Sequence, residues 1–183
     1  MRTYILPFAE PGTQIRLMFE DEAGFGRIND PSSCWAPSGV RPIVPCQIVR
    51  EYVQVYGAVE PMTGDSCFVI APKCNTECMN AFLSELSKQL GKDYALLCMD
   101  NAGWHKSKGL AIPDNVRLLY LPARTPEMNP IEQLWPQVRK DGFKNKLYHT
   151  LDHVVQQLCL SLNSISTALV ISVTQRTWIV QMF

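Results

Sequence analysis

The chain has 183 residues, 46% of them apolar and 19% charged, with 17 Lys/Arg balancing 17 Asp/Glu. That length fits one domain, 1–183, with a proper core, and that composition excludes a collagenous, low-complexity or disordered chain. No apolar run approaches the roughly 20 residues a spanning helix needs, and Pro7 and Glu10 break the N-terminal apolar stretch, so neither a membrane span nor a secretory signal is expected.

The first predicted strand is 15–20 (IRLMFE), ending at Asp21. From Ala23 to Pro45 the chain is rich in Gly, Pro, Ser and Asn and reads as loop or hairpin with little regular pairing. Residues 52–59 and 66–71 are β-branched and aromatic, and the turn EPMTGD between them predicts a hairpin. Asn75 or Thr76 caps a helix over 77–90, where Met79, Phe82, Leu83, Leu86 and Leu90 recur at helical spacing. Residues 94–99 (YALLCM) form a continuous apolar run, as in a strand covered on both faces. A further strand follows at 116–121, then a helix opened by Pro130 and capped by Asn129, and an amphipathic helix over about 150–163. The β-branched C-terminal stretch from Asn163 suits a strand as well as a helix. The pattern is a mixed α/β sheet with helices packed on it.

Three acids stand in settings that carry chemistry. Asp21 and Asp100 each follow an apolar strand and should emerge at its end, since burying an unpaired carboxylate is costly. Parallel neighbouring strands place their C-terminal residues in one crevice. Glu132 lies one turn into the helix opened by Pro130. Converging carboxylates hold pairs of hard divalent cations, which suit in-line displacement at phosphorus. Taken singly, each acid is equally a cap, a turn residue or a dipole-favouring glutamate. Pro136, inside the helix carrying Glu132, predicts a kink there.

Charge is unevenly distributed. Residues 1–100 carry 8 Lys/Arg against 12 Asp/Glu, and 101–183 carry 9 against 5, with Arg139, Lys140, Lys144 and Lys146 close behind Glu132. Cations beside an acidic site would hold a phosphate backbone that carboxylates alone repel. The seven cysteines, odd in number and scattered, fit reduced thiols in a cytoplasmic protein. Cys74 with Cys78, and His149 with His153, have ligand-like spacing but lack the further ligands a metal site needs.

Four segments, FEDEAGF (19–25), CWAPSGVRP (34–42), LLCMDNAGWH (96–105) and LPARTPEMNPIEQLWPQVRK (121–140), resemble the catalytic domain of DDE transposases, in the bacterial insertion-sequence branch related to mariner elements. The resemblance spans about residues 15 to 180 and implies a ribonuclease H-like fold, a central five-stranded mixed sheet flanked by helices. It implies metal-dependent DNA cleavage and strand transfer, with Asp21, Asp100 and Glu132 as catalytic carboxylates holding two Mg²⁺ or Mn²⁺ ions. It further implies DNA contacts from Trp35, Asn101, His105, Lys106, Arg124, Arg139 and Lys140, with Asn101, His105 and Lys106 also candidates for supporting the metal ligands. DNA ends and target DNA are the implied partners, on which a homodimer or larger assembly would act in the nucleoid. Only 20 residues precede Asp21, so a helix-turn-helix reading module is expected to be separately encoded. The alternatives are a nuclease without strand transfer and an inactive DNA-binding or regulatory remnant of a decayed element.

Overall fold

A computed structural model describes residues 12–29, 31–123 and 125–181. Five strands, β1 (Ile15–Ile28), β2 (Ile48–Val59), β3 (Ser66–Ala71), β4 (Tyr94–Met99) and β5 (Val116–Tyr120), form one sheet in the order β3-β2-β1-β4-β5. β1 runs parallel to β4 and β4 to β5, whereas β2 is antiparallel to both β1 and β3. The sheet is mixed, as expected.

Strand alternation sorts the core into two layers. Leu17, Phe19, Ala23 and Phe25 of β1 face Trp135, Val138, Val154 and Leu158. Met18, between them in sequence, faces the opposite side with Tyr56, Leu97 and Met99, and that side is covered by α1 (Thr76–Leu90) through Met79, Phe82 and Leu86. The Asn75 side chain caps α1 by accepting from the Cys78 amide. On the other face lie α2 (Leu134–Val138), α3 (Leu151–Asn163), α4 (Thr167–Thr174) and α5 (Thr177–Val180). No single helix among the described residues is long and apolar enough to cross a membrane.

Three expectations change. β1 does not stop at Asp21 but continues to Ile28, because β2 supplies antiparallel partners across the whole stretch from Phe19↔Val59 to Gly26↔Tyr52. Asp21 is therefore mid-strand, at the level where the parallel neighbour β4 ends.

Second, the segment opened by Pro130 begins as a tight 3₁₀ turn (Pro130–Gln133), and α-helical bonding starts only at Leu134. Pro136 thus falls in the first turn of α2, directly after the 3₁₀ turn that carries Glu132. Asn129 does not cap this segment; its buried amide instead donates to the Glu20 carbonyl at 2.8 Å.

Third, the C-terminal stretch is helical. Ser166 caps α4, and burial of Val170 and Ile179 against the sheet overrides the β-branched preference.

Candidate active site

Register brings the two aspartates together. In the β1–β4 ladder Phe19 pairs with Cys98, and both side chains face the α2–α5 layer. Two residues further along, Asp21 keeps that face within β1, and Asp100 follows immediately after the end of β4. Glu132, on the Pro130–Gln133 turn, lines the same cleft as both aspartates, together with Asn101 and Asn129. Among the described residues no Lys or Arg lines it.

Asp21 is half-buried, and its Oδ2 accepts a 2.8 Å hydrogen bond from the Trp135 indole. That contact depends on Gly57, the residue opposite Asp21 on β2, because a Cβ at Gly57 would stand 2.7 Å from Trp135 Cη2. Burial pushes the Asp21 carboxyl up to about 7, against the opposing pull of the Trp135 hydrogen bond. Glu132 is also raised, by burial first and then by the nearby Asp100 and Glu127 charges. Asp100 is the most accessible of the three, its side chain 61% exposed, with Oδ1 accepting from the Ala102 amide at 2.8 Å. These carboxylates, in a cleft with no Lys or Arg among its described lining residues, form an all-oxygen donor set that hard divalent ions fit.

A second acidic group lies on the opposite face of β1. Glu20 and Glu22 alternate with Asp21 and point toward the 3₁₀ turn Gly103–Lys106. His105 Nε2 lies 3.1 Å from Glu22 Oε1 and 3.7 Å from Glu20 Oε2. The Trp104 indole donates to Glu22 Oε1 at 2.7 Å. Among the described residues, Glu20, Glu22 and His105 form the His/Cys/Asp/Glu group whose ligand atoms all lie within 4.8 Å of one another. The cleft carboxylates are spread more widely. The expectation that the Asp21–Glu22 pair would emerge from the sheet therefore fails for Glu22: burial is tolerated because Trp104 and His105 supply the missing partners. Glu20 could have been anticipated from alternation alone, since it shares a face with the core residue Met18. The roles of Trp135 and Gly57 carry no signal short of the β1–β2 register.

The residues expected to meet DNA divide into several groups. His105 is 1% exposed and closed in by carboxylates, which corrects its expected DNA contact. Asn101 is partly buried, its amide donating to the Leu121 carbonyl at 2.6 Å. Lys106 is exposed, its ammonium over the Tyr120 ring. Trp35 is fully exposed in the segment between β1 and β2. Arg124 lies outside the described residues. Arg139 stacks on Phe25 and donates to the Gly24 carbonyl at 3.0 Å. With Lys140 it joins Arg27, Lys144 and Lys146 around a depression floored by Phe25, Phe143 and Tyr148. Cys74, Cys78, His149 and His153 lie outside the Glu20–Glu22–His105 group.

Comparison with known proteins returns one family and one fold. The model of the family described as DDE superfamily endonuclease matches residues 16–155. A protein of Sinorhizobium fredii (strain NBRC 101917 / NGR234), "Uncharacterized protein y4pE/y4sA", is 34% identical over 115 residues, 62% of this chain and 85% of that one. Among solved structures, the Mos1 transposase paired-end complex with left transposon end superposes with a TM-score of 0.66 at 14% identity, over 87% of this chain and 51% of that one. The pre-cleavage Mos1 transpososome gives 0.67 at 12% identity, over 86% of this chain and 51% of that one. The simian T-cell lymphotropic virus intasome gives 0.52 at 10%, over 86% and 52%. At such identities the likeness establishes the fold, which is ribonuclease H-like. The chain spans about half the length of the solved transposase chains it matches.

Proposed function

Because the chain belongs to the DDE superfamily endonuclease family, we propose that it is the catalytic domain of an insertion-sequence transposase, which cuts DNA strands and joins them to a target. One observation carries the reading: Asp21 of β1, Asp100 just past the end of β4 and Glu132 line the same cleft.

Asp21, Asp100 and Glu132 would between them hold two Mg²⁺ or Mn²⁺ ions. A donor set too wide for a single ion suits a pair. Bound there, the pair would supply Lewis-acid activation of a water or 3′-hydroxyl nucleophile and stabilise the leaving oxygen. The chain's own residues prepare this. Trp135 holds one oxygen of Asp21 and leaves the other to the cleft. The strand ladder fixes the spacing of the two aspartates, and the turn opened by Pro130 fixes Glu132. Lys140, Lys144 and Lys146 are exposed and offer the backbone phosphates a counter-charge.

The partners are transposon ends and target DNA. A homodimer or larger assembly would work on them in the nucleoid. The test is a plasmid-nicking assay in Mn²⁺, paired with joining of a labelled pre-cut end bearing a 3′-hydroxyl. Wild type should nick and join, whereas Asp21→Ala and Asp100→Ala should each lose at least about 100-fold, as when groups acting on the transition state are removed. Nicking without joining would reduce the reading to a nuclease. Equal activity in wild type and both variants would end it.

A further inference from the structure

Asp100 has an exposed carboxylate at a strand end, a position at which a side chain ordinarily samples several rotamers. Here it does not stand alone. His105 Nδ1 lies 3.0 Å from Asp100 Oδ1 and 3.2 Å from the Asp100 carbonyl oxygen. The other side of the same ring is held by Glu22, with Nε2 at 3.1 Å from Oε1. Glu22 is itself held by the Trp104 indole at 2.7 Å. The Tyr120 hydroxyl donates to the His105 carbonyl at 2.6 Å, tying the turn that carries the ring to β5. The ring is thus fixed at both nitrogens and at its backbone. With Oδ1 of Asp100 facing Nδ1 and accepting from the Ala102 amide, Oδ2 is left for the cleft.

We infer that His105 is a positioning residue: clamped from beneath by Glu22 and Trp104, it holds the Asp100 carboxylate in the rotamer that completes the metal-binding cleft. The inference rests on the proposed role of Asp100. Glu20 forms the far wall of the clamp; it is fully buried and neither of its side-chain oxygens has a hydrogen-bond partner. The arrangement reaches through the sheet. Asp21 and Asp100 line one cleft, and the residue that steadies Asp100 is anchored to the β1 glutamate on the other face. Neighbours that orient a metal ligand in this way typically change metal affinity or activity about 10- to 100-fold when removed.

The test compares wild type with His105→Ala, His105→Asn, His105→Gln, Glu22→Gln and Asp100→Ala as the full chain. Mn²⁺ affinity is read by titration calorimetry, nicking as a function of Mn²⁺ concentration, and folding by thermal melting. Asparagine offers an amide nitrogen where Nδ1 stands, and glutamine offers one where Nε2 stands. His105→Asn should therefore stay within about threefold of wild type in Mn²⁺ affinity, while His105→Gln and His105→Ala lose about 10- to 100-fold. In those two, the Mn²⁺ concentration for half-maximal nicking should rise in proportion, with the rate at saturating Mn²⁺ changing less. Glu22→Gln should show a smaller loss of the same kind.

Folded His105→Ala and His105→Gln with unchanged Mn²⁺ dependence would overturn the inference, as would equal losses in the asparagine and glutamine variants. A tightly held ion in chelator-treated wild type, absent from His105→Ala by elemental analysis, would also overturn it, since Nε2 would then be a ligand. If Asp100→Ala leaves Mn²⁺ binding intact, the reading of the cleft itself fails. If Asp100→Ala abolishes binding and no His105 variant alters it, only the clamp fails.

Discussion

Asp21 combines three demands in one side chain: it is half-buried, it accepts from Trp135, and its neighbours are other acids. The fold raises its carboxyl from an ordinary 3.8 to about 7, chiefly through burial. A group whose folded-state proton affinity is raised adds stability that is fully present below its unfolded value and is lost as pH rises through the folded one. Metal-free protein should therefore melt at progressively lower temperature between about pH 4 and about pH 7. Glu20, Glu132 and His105 are shifted in the same direction, Glu20 chiefly by burial, so all four losses add with rising pH. Asp21→Asn should flatten the slope in part. Mn²⁺ at neutral pH should restore the melting temperature of wild type and not of Asp21→Asn, because cations bind the ionised form and stabilise by mass action. An unchanged slope in Asp21→Asn would refute the assignment.

At the level of single elements, β2 matters most to the site although it supplies no ligand. Gly57 leaves the space that the Trp135 ring enters, and an added methyl would meet Trp135 at 2.7 Å and Phe68 at 3.1 Å. Gly57→Ala should destabilise the protein: overpacking costs about 1–3 kcal/mol, more than the roughly 0.5–1 kcal/mol that alanine gains over glycine within an element. Urea denaturation measures the balance, and an unchanged midpoint would show that Trp135 can move aside freely. This contact also marks the limit of what the residues alone disclose. Strand and helix positions were legible wherever apolar periodicity was strong, as in α1, β3 and β4. Asp21, Asp100 and Glu132 were legible as acids in specific surroundings. The continuation of β1 past Asp21 was not, because Gly24 and Gly26 read as loop until β2 supplies partners for them. The clamp under Asp100 joins residues more than 80 positions apart and exists only in the folded sheet. The 3₁₀ start of the segment opened by Pro130 was not legible either, because α2 begins later than periodicity suggests.

For the molecule as a whole, zero net charge conceals a separation. Acids occupy the cleft, while Arg27, Arg139, Lys140, Lys144 and Lys146 surround the depression beside β1. Arg27 is engaged by Glu51 and the Tyr148 carbonyl, and Arg139 by Phe25, whereas the three lysines are exposed. Replacing Lys140, Lys144 and Lys146 together by alanine should weaken duplex DNA binding at low salt. It should also lower the salt slope of binding by about one per phosphate contact removed. Fluorescence anisotropy across a salt series gives both quantities. Equal slopes in wild type and the triple variant would place the DNA path elsewhere.

β1 has a mechanical consequence as well. A strand ending at Asp21 would isolate that carboxylate from whatever the chain did next. A strand running on to Ile28, paired with β2 from Phe19 onward, makes carboxylate and outer hairpin parts of one beam. Its inner part, Ile15–Phe19, is paired with β4 and its outer part, from Phe19 on, with β2, so Asp21 sits just past the residue where the two ladders meet. A load on the far end, where the segment bearing Trp35 departs, is transmitted to Asp21 along continuous backbone, without a slack loop to absorb it.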